Sequence, residues 1–232
     1  MIRSFSLVDH KVEETEFFLR KLTACDRNMF ELRCYVSAFV ASARSVTFAL
    51  QAVLKHDDEF AAWYAERQTE LRDNKLARFF LEFRNVNQHI GENVANAGYG
   101  GANGKLFHLF TPTQDVPNVP DEDVVTACHK HFVTVLNLVF NCYADLGSKI
   151  DGKQRYTEAN AASLGITIED AEAEMGFPAG WTDINDPDAL PHRWQALRDE
   201  TVGCEINPIF HNYLGKTTPV PDRLPPLSKN GT

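Results

Sequence analysis

The chain has 232 residues, 44% of them apolar, and a formal net charge of −9. That length can bury one sizeable core plus an appendage, or two small domains, and the acidic balance excludes a surface that coats nucleic acid indiscriminately. No run of about eighteen apolar residues is present, and the N-terminus MIRSFSLVDHKVEE lacks the apolar region and cleavage site of a signal peptide, so a cytoplasmic protein with no membrane association is expected.

Five cysteines (Cys25, Cys34, Cys128, Cys142 and Cys204), odd in number and never in a CxxC pair, read as reduced, mostly buried thiols rather than a disulfide framework or zinc site. The acidity is unevenly placed. Residues 1–92 carry 13 Lys/Arg and 14 Asp/Glu, whereas residues 93–232 carry 10 and 18. An anionic ligand would therefore be met by a local patch in the first part of the chain.

In chain order, Val12, Phe17, Phe18, Leu19 and Leu22 recur at helical spacing, and Asp26, Arg27 and Asn28 break the pattern. The longest element follows, from about Met29 to His56, with Leu32, Val36, Phe39, Val40, Val46, Leu50 and Val53 in register over roughly 40 Å at about 1.5 Å per residue. Asp57 or Asp58 is the expected N-cap of a third helix, whose apolar face includes Phe60, Trp63, Tyr64 and Leu71. Asp73 and Asn74 turn the chain into a fourth helix, Leu76 to Gly91, where Leu76, Phe79, Phe80, Phe83 and Ile90 form one apolar stripe. Asn87 falls on the apolar side and is expected to make a structural polar contact.

The stretch ANAGYGGANG (95–104) is dense in glycine and reads as a flexible loop; LFHLF (106–110) reads as a short strand or extended plug. The loop has no Gly-Lys-Ser/Thr ending and no strand before it, which excludes a P-loop. A fifth helix, about Asp121 to Leu146, begins with acidic residues and has Gly147 just past its expected end; its wide apolar surface predicts the most buried helix of a bundle. Cys128, His129 and His131 do not converge on one face of that helix, so a buried thiol beside surface histidines is expected and no metal or cofactor. Beyond Asp151 the periodicity weakens: Thr167–Met175 and Ala189–Arg198 are short helix candidates, and TTPVPDRLPPLSKNGT reads as an extended tail. The expected architecture is all-α, with a helical bundle over 1–150 and a small irregular appendage over 151–232.

The fourth helix carries the candidate chemistry. At about 100° per residue, Arg84 lies on one flank of its polar face, His89 on the other, and Asn85 between them. An arginine, a polar residue and a histidine in this order, within a bundle of four to five helices, resemble the HEPN superfamily, whose ribonuclease members carry such a motif. The runs SARSVTFALQ (Ser42–Gln51) and FAAWYAERQ (Phe60–Gln68) also resemble bacterial proteins of that group.

The resemblance implies a metal-independent endoribonuclease of toxin or defence type. In that reading His89 moves the proton of a ribose 2′-hydroxyl or of the leaving oxygen, Arg84 stabilises the phosphoryl charge and Asn85 orients either, leaving a 2′,3′-cyclic phosphate. Five residues separate Arg84 from His89, about 140° around a helix, so the resemblance further implies a homodimer with a composite site. It admits an antitoxin or regulatory partner protein, although the tyrosine modified in some toxins of the group is replaced here by Gly91. The alternative is a non-catalytic module of the same group that binds nucleotide, RNA or a protein partner.

Overall fold

The computed structural model describes residues 4–25, 28–101 and 106–225, which fall into two compact units. The first is Met1–Val139 with Pro208–Gly215, and the second is Phe140–Asn207 with Lys216–Thr232. The expected break at Asp26 and Arg27, the last part of the glycine-rich stretch and the end of the tail lie outside the described residues. The chain is mostly helical, an all-α bundle followed by a region of short helices and irregular chain.

In the first unit, α1 (Ser6–Ala24) packs along α2 (Met29–Leu54), which also packs on α4 (Lys75–Ile90); α3 (Asp58–Asp73) packs on α4 as well. The starts of α2, α3 and α4 are each fixed by a short polar side chain that meets otherwise unpaired N–H groups. Asn28 accepts from Phe30 N and Glu31 N at 3.1 and 3.2 Å, and Asp57 accepts from Phe60 N at 2.9 Å. Asn74 closes α3 and opens α4, where its side-chain Oδ1 accepts from Leu76 N and Ala77 N at 2.9 and 3.0 Å. Gly91 ends α4 in the left-handed region at φ 82°, its N–H bonded to Asn87 O.

The core is aromatic where α4 faces inward. Phe79, Phe80 and Phe83 are buried, and all three meet Phe110 with ring centroids 4.8–6.3 Å apart. Phe39 of α2 meets Phe80 edge-on at 6.1 Å. Asn87 makes the expected structural contact, its amide donating to Glu92 O at 3.0 Å. Ile90 departs from the apolar stripe and is exposed. Helix α2 is by length and composition apolar enough to cross a membrane, but half of its most apolar window is buried within the protein.

The glycine-rich stretch is not a loop throughout. Residues Ala95–Gly100 form β1, antiparallel to β2 (Leu106–Phe110), with Gly98 opposite His108 and Tyr99 stacked on Phe107 at 5.3 Å. A side chain at Gly98 would crowd Phe107 O at 3.2 Å and His108 Nδ1 at 3.3 Å, so glycine here serves a close approach rather than freedom. Helix α5 (Val124–Ile150) starts later and runs further than expected. Asp123 accepts from Thr126 N and, with its other oxygen, from His108 N of β2. Gly147 lies inside the helix, and the Gln154 side chain occupies the space that a β-carbon would take there.

The second unit has short helices of its own: α6 (Gly152–Arg155), α7 (Glu158–Leu164), α8 (Ile168–Glu174) and α9 (Leu190–Asp199), the last entered by a 3-10 turn at Pro187–Ala189. Helices α8 and α9 fall on the two predicted segments. Tyr156, Ile168, Ala171, Trp194 and Leu197 form their small core. The buried carboxylate of Glu172 accepts from Thr182 N at 2.8 Å and pairs with Arg193, tying the irregular 180–182 segment to α8 and α9. A further helix, α10, spans Asn207–Leu214.

Truncating Phe83, which is fully buried in the aromatic cluster, should cost about 3–5 kcal/mol in urea unfolding. Ile90→Ala on the same helix should stay within about 0.5 kcal/mol.

Candidate functional site

Helix α4 presents the three expected residues differently. Arg84 is half-buried, whereas Asn85 and His89 are exposed. Arg84 Nη1 donates to Asn85 Oδ1 at 3.2 Å, so these two act together. His89 lies a turn further on, in the last turn, at the angle that separates positions five apart on a regular helix. Within one chain the histidine is not brought onto the arginine.

What meets Arg84 comes from α2. Its guanidinium carbon lies 5.8 Å from the centroid of Phe48, and that of Arg44 lies 4.3 Å from the same ring. Phe48 is nearly half exposed, a large ring kept at the surface beside two cations. The Nε of Arg84 is buried without a hydrogen-bond partner among the described residues. Arg44 Nη1 donates to Thr47 Oγ1 at 2.9 Å. Burial lowers the pKa of Arg44 below its ordinary value; Tyr64 opposes that shift and the like charge of Arg84 adds to it. The group stays charged at neutral pH, yet its environment favours a nearby anion.

Behind this pair a cavity of about 250 Å³ opens between α2, α3 and α4. Its polar lining is Arg44, Thr47, Tyr64, Gln68 and His131, against an apolar wall that includes Phe80. Arg72 and Arg78 also line it. Among the described residues, none of Arg44, Arg72, Arg78 and Arg84 forms an ion pair. The larger concavity of about 860 Å³, on the other flank of α4, mixes Lys75 and Arg78 with Glu82, Asp121 and Glu122. Opposed charges there leave little net attraction for an anion, so the smaller cavity is the better candidate.

His131 is not the surface residue expected from the sequence. It is buried, stacked on Phe80 with centroids 4.4 Å apart and planes at 15°, and its Nδ1 has no partner among the described residues. Burial pushes its pKa from the ordinary 6.5 down to about 3, so the ring is neutral at pH 7. His129 is exposed and Cys128 buried, and no group of metal-ligating side chains occurs among the described residues. Tyr64 is a core aromatic, stacked on Phe60 at 5.2 Å, whose hydroxyl receives Gln51 Nε2 at 3.1 Å.

Arg44 and Phe48 were missed in the sequence although a signal existed. Between Arg33 and Lys55, Arg44 is the only charged residue in an otherwise apolar helix, and Phe48 follows one turn later.

Residues 5–96, which hold α1 to α4 with Arg44, Phe48, Arg84, Asn85 and His89, match the model of a family described as Bacteriophage lambda protein ea47. No curated protein and no solved structure matches the chain. The matched family is not the HEPN superfamily, so the resemblance drawn from Arg84, Asn85 and His89 does not hold. An arginine and a histidine five apart specify little, because any polar helix face can supply them.

The buried histidine sets a pH dependence. The unfolded chain binds a proton at His131 below about pH 6.5, but the folded chain does so only near pH 3. Its contribution is therefore fully present above 6.5 and is lost as pH falls from there toward 3, at about 1.4 kcal/mol per pH unit. Urea unfolding at pH 7 and pH 5 should differ by about 2 kcal/mol from this group, and His131→Gln should remove that component.

Proposed function

We propose that the face built by Arg44 and Phe48 of α2 with Arg84 and Asn85 of α4 binds single-stranded nucleic acid, RNA in the first instance, without cutting it. One observation carries this reading: two guanidiniums, without an ion pair among the described residues, lie beside one half-exposed aromatic ring. Bases stack on exposed aromatic rings, and phosphates pair with guanidiniums. The Asn85 amide adds a hydrogen-bonding group beside Arg84.

Cleavage by Arg84 and His89 is less well supported. The two side chains diverge, and a second copy of the chain would be needed to close the gap. Binding needs no second copy. The net charge of −9 weighs against long-range steering, so affinity should be modest and local. A cytoplasmic setting fits the reading, because Cys34 is an exposed free thiol.

End-labelled single-stranded RNA, titrated in excess chelator, tests the proposal. Binding should be saturable and leave the RNA intact. Phe48→Ala should weaken it by about 1–3 kcal/mol, and Arg84→Ala should reduce the slope of log affinity against log salt by about 0.7. Cleavage lost in both Arg84→Ala and His89→Ala would replace this reading with the ribonuclease one. Binding indifferent to Phe48 and Arg84 would remove the face from consideration.

A further inference from the structure

We infer that the cavity between α2, α3 and α4 is a separate binding site for a mononucleotide, with its ring inside and its phosphate at the arginine-lined mouth. The inference goes beyond the nucleic-acid face and stands without it, although Arg44 borders both.

Three features of the cavity point to this class of ligand. The first is charge. Arg44, Arg72 and Arg78 line the cavity, none is in an ion pair among the described residues, and Arg72 and Arg78 are exposed while Arg44 is half-buried. Guanidiniums match the geometry of a phosphate, and a cluster left without carboxylates favours a dianion over a neutral guest.

The second feature is room and surface. About 250 Å³ lies just below the usual range for small-molecule pockets, which is enough for a ring but not for a whole nucleotide. The phosphate must then remain at the mouth, where the exposed arginines are. Val40, Ala43, Ala77 and Phe80 supply an apolar wall.

The third feature is an unspent polar group. His131 is more than nine-tenths buried and its ring lines the cavity, while its Nδ1 is closed off from solvent with no hydrogen-bond partner among the described residues. A polar atom left unpaired in a closed interior costs free energy that the fold does not otherwise recover. The neutral imidazole has one ring edge left to offer, a donor or an acceptor according to its tautomer, and the Gln68 amide on the same lining, bonded to Tyr64, has both a donor and an acceptor side. Together they suit the alternating donor and acceptor edge of a nucleobase better than a plain hydrocarbon ring. Thr47 and Tyr64 hydroxyls lie on the same lining and suit a ribose.

The test is calorimetric titration of the full chain with each of the four nucleoside 5′-monophosphates, with inorganic phosphate, and with the matching nucleosides. At least one monophosphate should bind saturably at one per chain below millimolar concentration. Its nucleoside and inorganic phosphate should each bind at least tenfold more weakly. Gln68→Leu and His131→Phe should each weaken the monophosphate at least fivefold, and Arg78→Ala should do so with a reduced salt dependence. Gln68 is only half-buried, so its variant keeps the test valid if the His131 variant is poorly folded. Saturation by none of the four would overturn the inference. So would inorganic phosphate binding as tightly as the best monophosphate, or affinity unchanged in both cavity variants. Phe48 takes no part here, so failure of the nucleic-acid face is read separately, in the RNA titration.

Discussion

Arg44 is the constraint on which the first unit turns. It lies near the middle of α2, a helix whose most apolar window is half buried and whose flanks must pack against α1 and α4. A guanidinium at such a place cannot be sealed in without a partner, because removing a charge from water costs several kcal/mol even after relaxation. No carboxylate pairs with it among the described residues. It is accommodated instead by the Thr47 hydroxyl, by the face of Phe48 and by a cavity that keeps its surroundings polar. The cavity is thus part of how α2 is tolerated in the bundle.

The other polar features follow from that opening. Arg84 reaches across from α4 to the same ring, which places two like charges close enough to oppose one another, a cost that an anion would relieve. His131 on α5 is held neutral by burial and stacked on Phe80, so it adds no third charge. The result is a cationic rim over a neutral, partly apolar interior. Such an arrangement discriminates by charge at the mouth and by shape and hydrogen bonding within.

The parts legible in the sequence were those that local rules control. Helical periodicity located the first five helices; of the two N-cap candidates for α3 the structure uses Asp57, and Asn28 and Asn74, which read as parts of a break and a turn, prove to cap α2 and α4. The rules failed where a distant segment decides. Glycine at 98 looked like loop, but its lack of a side chain admits Phe107 and His108 of the partner strand. Gly147 looked like a helix end, but it makes room for Gln154. His131 looked like a surface residue beside a buried Cys128, yet it packs against Phe39 of α2 and Phe80 of α4. In each case the deciding atom lies on another element, where no local pattern can reveal it.

The site was half legible for the same reason. Arg84 and Asn85 are neighbours and stay together; Arg84 and His89 are on one helix and therefore stay apart. A rigid helix fixes the angle between positions five apart at about 140°, whatever surrounds it. Convergence of groups from such positions has to come from another helix. Here α2 supplies it, and what it brings beside Arg84 is a second cation and an aromatic ring rather than an acid or a base. A guanidinium cannot exchange a proton near neutral pH, and a phenyl ring has none to exchange. The groups that actually meet Arg84 can hold and orient an anion, and proton transfer would have to be supplied by something beyond them.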